Sequence, residues 1–275
     1  MMDPQALKEL SREVEQIARQ TGRFLMEELG RVGDHQIEEK ALNSLVSYVD
    51  RQAEAQLVEA LGRLLPEAVF LTEEDTIQNQ YGSQQWIIDP LDGTTNFLHQ
   101  LPAFVVSLGL RLDEELCLGV VYDPSRRECF SAWRHGGAYL NHHPIGVSHP
   151  SGLDRSLLAT GFPYYDYERL QAYLEVLRYF MQHSQGIRRF GSAALDLAYV
   201  ACGRFDGFFE YSLQPWDVAA GAVLVREAGG LVTDFSGGGR FLFGEELIAA
   251  SPEVHPVMLH QIREAFGSSS SKSNS

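Results

Sequence analysis

Residues 86–97 read WIIDPLDGTTNF. An apolar run from Trp86 to Ile88 ends in Asp89, a second carboxylate follows at Asp92, and Gly93 opens a polar string of two threonines and an asparagine. Pro90 restricts the backbone just after Asp89, and Gly93 permits a sharp bend just after Asp92. The two carboxylates can thereby converge, with the Leu91 carbonyl between them as a third oxygen. Such oxygens are hard ligands that suit Mg2+, Mn2+ or Ca2+ better than zinc. The amides of Gly93, Thr94 and Thr95 are placed to open a helix, and a helix N-terminus attracts phosphate. Metal ligands beside a phosphate cradle are what metal-assisted phosphoryl transfer needs. A tight turn at Asp92-Gly93 with Asp89 capping a strand would account for part of the string but not the whole of it.

Outward from this stretch the chain alternates helix and strand. Apolar residues at Leu7, Leu10, Val14, Ile17, Ala18, Phe24 and Leu25 predict a helix over about 5–30. Leu45, Val49, Ala53, Leu57, Leu61 and Leu64 predict a second over about 45–65, stopped by Pro66. AVFLTEED (68–75) and QQWIIDP (84–90) read as short strands that run into acidic residues. From about 103 to 140, short β-rich runs joined by turn-forming links predict an antiparallel meander. Beyond it come a strand near 156–160, helices over about 167–184 and 192–202, a strand at GFFEY (207–211), a helix ending at Gly229-Gly230, and a late strand at LIAAS (247–251). The fold class is α/β in the sense of an α+β layered sandwich, with helix and sheet layers alternating. We expect one domain over 1–266, its α+β half at about 1–150 and its α/β half at about 151–266, followed by a disordered tail, GSSSSKSNS, at 267–275.

Composition narrows the function. The 275 residues carry 37 acidic and 22 basic side chains, a net charge of −15, which argues against a broad nucleic-acid-binding surface. The same field would repel a phosphorylated metabolite unless bound cations reversed its sign locally. Cys117, Cys129 and Cys202 match neither a disulfide framework nor a zinc pattern and read as buried thiols in a reducing compartment. The N-terminal stretch is polar and amphipathic rather than a signal peptide, and no apolar run is long enough to span a bilayer, so the expected location is cytoplasmic. Further acids join the opening string: Glu73 and Glu74 end a strand, and Asp217 starts the helix of PWDVAAG (215–221). Singly, these read as a solvated pair and a charge favoured by the helix dipole; their weight comes from joint occurrence.

WIIDPLDGTTNF together with PWDVAAGAVLVREAGG (215–230) closely resembles the inositol monophosphatase family, among the lithium-sensitive, magnesium-dependent phosphatases, and RRFGSAALDLAYVACGRFDGFFE (188–210) looks like its bacterial members. The resemblance covers about residues 8–260 and implies the fold shared with fructose-1,6-bisphosphatase. It implies Mg2+ as cofactor, two ions or three, held by Glu73, Asp89, the Leu91 carbonyl, Asp92 and Asp217. Glu73, Asp92 and Thr94 would carry catalysis, with Thr94 holding the attacking water. Asp92, Gly93, Thr94 and Asp217 would contact the substrate at its phosphate end, and Gly191, Ser192, Ala193 and Glu210 at its polyol end. Lys40 and Glu74 would support the active-site loop. In KALNSLVSYVD (40–50), Lys40 and Asp50 fit the family pattern, Ser47 replaces a threonine, and Ser44 stands where an aspartate is usual. The implied activity is hydrolysis of inositol-1-phosphate. Alternatives are the same chemistry on fructose-1,6-bisphosphate, 3′-phosphoadenosine 5′-phosphate, histidinol phosphate or NADP, or a catalytically idle regulatory dimer. The implied partners are a small phosphorylated polyol and a second copy of the chain, with no membrane and no nucleic acid.

Overall fold

The predicted N-terminal stripe forms α1, Pro4–Glu28, begun by Asp3, whose carboxylate accepts hydrogen bonds from the Gln5 and Ala6 amides. The structure, a computed structural model, describes residues 2–41, 44–163 and 167–269. The second helix starts later than its periodicity suggests. Ser44–Ser47 is instead strand β2, paired antiparallel with β1 (Ile37–Ala41), and α2 spans Tyr48–Leu64. The capping box decides this start: the Ser47 hydroxyl accepts from the Val49 amide, and Asp50 accepts from the Ser47 amide.

Strands β3 (Val69–Thr72), β4 (Gln84–Asp92), β5 (Val105–Leu112), β6 (Glu115–Asp123), β7 (Glu128–Trp133), β8 (Gly137–Leu140) and β9 (His143–Ile145) form one sheet in sequence order. Only β3 and β4 pair in parallel; the rest is the predicted meander. A second sheet runs β11-β10-β12-β14-β13, from Leu157–Thr160 (β10), Gly186–Arg188 (β11), Gly207–Tyr211 (β12), Leu231–Thr233 (β13) and Glu246–Ala250 (β14). Helices α1 and α2 cover the outer face of the large sheet. Helices α5 (Ala193–Ala201) and α6 (Pro215–Glu227) lie between the sheets, while α4 (Leu170–His183) and α7 (His255–Ser269) cover the small sheet from outside. The result is five layers, helix and sheet in alternation. Helix α7 runs through Ser269, so the stretch expected as a tail is helical at its start, and 270–275 lie outside the described residues.

Sheet residues alternate between these layers. Trp86 and Ile88 of β4 face the α1–α2 side, and Ile87 faces α6. The side facing α6 is pared down to Ser107, Gly109 and Gly119. A Cβ on Gly109 would come within 2.8 Å of the Ala219 Cβ, and one on Gly119 within 2.4 Å of the Ala220 carbonyl oxygen. Ser107 donates to the Trp216 carbonyl at 3.3 Å. On the other side of α6, a Cβ on Gly221 would lie 2.4 Å from Leu197 of α5. Small residues on every contacting face thus seat α6 directly on the sheet, which fixes where its first turn ends up.

Replacing Gly119 by Ala drives a methyl group into backbone that has no rotamer to yield, and should cost about 1–3 kcal/mol. Gly239→Ala, with nothing within 4 Å of its Cβ position, should leave stability unchanged. Urea denaturation of the two variants against the parent checks the difference.

Candidate active site

A regular strand sends residues three apart to opposite faces. Asp89 pairs with Ser107 and Asp92 with Val105, so β4 carries one extra residue between them, a bulge at Pro90-Leu91. The bulge reverses the alternation and turns both carboxylates toward the first turn of α6. Gly93 follows at φ 101°, and a Cβ there would lie 2.8 Å from the Ala103 carbonyl oxygen, so only glycine fits the bend into α3, Thr94–Leu98. The Asn96 side-chain amide donates to the Ala103 and Phe190 carbonyls, both at 2.7 Å, and ties this turn to the loop before α5.

The carboxylates are anchored by one oxygen each. Asp89, 1% exposed, accepts from the Leu91 amide at 2.9 Å. Asp92 Oδ2 accepts from the Ser192 hydroxyl at 2.8 Å and the Ala194 amide at 2.7 Å. Asp217 Oδ2 accepts from the Gln214 amide at 2.7 Å, closing the first turn of α6. The loop bearing Glu73 and Glu74 hangs from α2, where buried Glu54 accepts from the amides of Glu74 and Thr76. One turn earlier on α2, Asp50 Oδ1 accepts from the Thr94 hydroxyl at 2.9 Å. That hydroxyl has a second acceptor in the Leu91 carbonyl at 3.1 Å.

These anchors surround a cavity of about 440 Å³. Glu73, Asp92, Gly93, Thr94 and Asp217 line one part of it, Gly191, Ser192, Ala193, Asp196 and Glu210 another. Glu210 comes in over Gly161, where a Cβ would lie 1.9 Å from its carboxylate. Arg189 also lines the cavity, its guanidinium 5.3 Å from the Phe162 ring centre.

Charge is concentrated here against its own repulsion. Burial, reinforced by Glu73, Asp92 and Asp217, pushes the Asp89 carboxyl well above the usual carboxylate range. Burial, then Asp92 and Glu73, does the same to Asp217. Asp92 is pushed up to about 7 by burial, against the pull of its hydrogen bonds from Ser192 and Ala194. Burial takes Glu210 to about 8, with Arg189 opposing and Asp92 adding. Groups that raise one another in this way gain most from a divalent cation among them. Among the described residues, no three acidic, histidine or cysteine side chains form a finished cation cage. Mg2+ does not require one, because it keeps several waters and takes one or two carboxylates alongside substrate oxygens.

The inositol monophosphatase family model matches residues 6–267. The chain is 41% identical over 248 residues to the Nus factor SuhB of Escherichia coli K12, covering 90% of this chain and 93% of that one. It superposes with a TM-score of 0.88 on the extragenic suppressor protein suhB of Bartonella henselae, at 40% identity, covering 93% of this chain and 98% of that one. For an IMPase of Thermotoga maritima the score is 0.85 at 33% identity, covering 93% and 97%. The chain belongs to the inositol monophosphatase family.

Of the residues named from sequence, Glu73, Asp92, Gly93, Thr94, Gly191, Ser192, Ala193, Glu210 and Asp217 line the cavity, Asp89 interacts with the carboxylates of this group, and the Leu91 carbonyl accepts from Thr94; Glu74 does not line the cavity, and the side chains of Lys40 and Ser44 lie outside the described residues. Asp50 and Glu54 of α2, Gly161, Arg189 and Asp196 are also part of the site and were not assigned to it from sequence. Asp50 was visible as the acid of a capping box, and Asp196 as the one charge in AALDLAYVA (193–201). Cys117 and Cys129 are buried free thiols, as expected, while Cys202 is only half-buried. Among the described residues, no helix is long and apolar enough to cross a membrane.

Glu210 yields a test of sign. Its folded value of about 8 lies above the ordinary 4.5, so its contribution to stability is full below pH 4.5 and lost as pH rises to about 8. In EDTA, the melting temperature should fall more steeply across this window for the parent than for Glu210→Gln. Equal slopes would show that Glu210 is not buried as described.

Proposed function

We propose that this family member is a Mg2+-dependent phosphomonoesterase that hydrolyses inositol-1-phosphate to inositol and phosphate by attack of water. The observation that carries the reading is the cavity itself, where repelling carboxylates on a bulged strand and a helix start adjoin a wall bearing Glu210. Glu73, Asp89, the Leu91 carbonyl, Asp92 and Asp217 would hold the ions. Bound Mg2+ supplies a water of lowered pKa and a counter-charge for the leaving oxygen.

The chain's own residues do the rest. Thr94 has one proton and two acceptors. Given to Asp50 Oδ1, that proton leaves the Leu91 carbonyl lone pairs available and presents a Thr94 lone pair to the attacking water. Burial raises Asp50 above the ordinary carboxylate range, which makes it a stronger proton acceptor behind Thr94. The Gly93 and Thr94 amides face the phosphate, and Glu210 accepts hydrogen bonds from polyol hydroxyls. Ser192 and Ala194 hold one oxygen of Asp92 and so direct the other. Glu210 disfavours a second phosphate at that end, but Arg189 in the same wall offsets part of this, so substrate choice has to be measured.

The catalytically idle reading requires loss of a ligand, and Glu73, Asp89, Asp92, Thr94 and Asp217 are all present. A homodimer belongs to the proposed reading, supported by Leu174 and Met181, both exposed and seven residues apart on α4.

Phosphate release should be measured from inositol-1-phosphate, fructose-1,6-bisphosphate, 3′-phosphoadenosine 5′-phosphate, histidinol phosphate and NADP, with Mg2+ or EDTA. Inositol-1-phosphate should give the highest kcat/KM, with no release in EDTA. Thr94→Ala should lower kcat by about 10²–10⁴-fold. Preference for another ester would sink the substrate assignment; no release from any, by folded protein with Mg2+, would sink the enzyme reading.

A further inference from the structure

Tyr173 of α4 carries a hydroxyl into an apolar cluster. Its ring lies beside those of Phe209 and Tyr211, Val176 and Phe180 belong to the same cluster, and the residue is 2% exposed. A phenylalanine would fill that space without bringing in a polar atom that has to be satisfied. The hydroxyl has one clear target: it donates to the Gly161 carbonyl at 2.7 Å, one residue beyond the end of β10. Burial pushes the phenol up to about 12, so it keeps its proton and stays a donor at any ordinary pH.

The neighbouring Thr160 hydroxyl donates to the Phe209 carbonyl at 2.7 Å. Each hydroxyl has a single proton, and these two short bonds use both. The 3.2 Å contact between the two oxygens is therefore secondary. Tyr173 and Thr160 thus grip the backbone at two points, Gly161 after β10 and Phe209 in β12. Those strands run parallel with Thr160 beside Phe209, where their printed register ends. Along β12, Phe209 and Tyr211 face the Tyr173 cluster, so Glu210 between them faces the other way, into the cavity. There its carboxylate rests directly on Gly161, at the place where a Cβ would lie 1.9 Å away. Tyr173 itself does not line the cavity. Its hydroxyl holds the floor on which a cavity carboxylate sits.

We propose that Tyr173 is a positioning residue for substrate binding, its hydrogen bond to the Gly161 carbonyl fixing the backbone against which the Glu210 carboxylate meets the polyol hydroxyls. This rests on the assignment of Glu210 to the polyol end given above. Without the bond, Gly161 is free to shift beyond the end of the ladder, and Glu210 loses the surface that aims it.

The test compares inositol-1-phosphate with p-nitrophenyl phosphate, an ester with no hydroxyl for Glu210, in the parent and in Tyr173→Phe. KM for the inositol ester should rise about threefold to tenfold, the fold-change to which one net hydrogen bond corresponds. Its kcat, and both constants for p-nitrophenyl phosphate, should stay unchanged. In a Glu210→Ala background, Tyr173→Phe should add nothing to the loss already present. Gly161→Ala, which pushes a methyl group onto the carboxylate, should raise KM for the inositol ester with the same selectivity. A hydroxyl that only completes the end of the sheet would lower the melting temperature and leave the ratio of the two esters unmoved. An unchanged ratio in either variant, an equal loss with both esters, an undiminished effect in the Glu210→Ala background, or a Tyr173→Phe protein that fails to fold would overturn the role of Tyr173 alone. A parent that turns over p-nitrophenyl phosphate but no inositol phosphate would overturn the substrate reading, and this role with it.

Discussion

Glu73, Asp89, Asp92 and Asp217 repel one another, and burial penalises Asp89, Asp92 and Asp217 as ions. Left to themselves, such groups would swing apart into water. Each is instead held by a backbone the chain cannot easily move. Asp89 and Asp92 ride on a bulge in a strand with sheet on both sides, and Asp217 on the first turn of a helix seated against glycines. Glu73 hangs on a loop fastened to α2 through Glu54. Rigid packing over five layers is therefore the condition for keeping this charge in place.

The same devices link the two sheets to one cavity. Asp92 accepts from Ser192 and Ala194 at the start of α5, and Asn96 bonds the carbonyl of Phe190. The turn that bears Gly93 and Thr94 and the turn that bears Gly191, Ser192 and Ala193 are thus joined directly. Helix α6 contributes Asp217 from between the sheets. A shift of either turn would be felt across the cavity.

Much of this was legible in the sequence, because local chemistry decides it. Gly93 announces its bend, Pro66 the end of a helix, and the alternation of the meander its pairing. The Asp-Pro-Leu-Asp spacing suggested convergence, although the mechanism, one extra residue in the register with β5, needed the partner strand. What could not be read are contacts between residues distant in the chain. Thr94 and Asp50 are 44 positions apart, and Glu210 depends on the bareness of Gly161, which sequence shows only as one glycine among 25. The start of α2 was misplaced because Leu45 fits a helical stripe as well as a strand, and the capping box at Ser47–Asp50 settles the matter. Asp196 was passed over since nothing nearby in the chain marks it as lining a cavity.

On the proposed function, these carboxylates form a divalent-cation site beside the turn at Gly93. The most direct measurement is anomalous diffraction from crystals grown with Mn2+, which takes the same oxygen ligands as Mg2+. The prediction is anomalous density within bonding distance of Asp89, Asp92 and Asp217 at the cavity. Density only elsewhere, or none at a Mn2+ concentration that supports phosphate release, would contradict it.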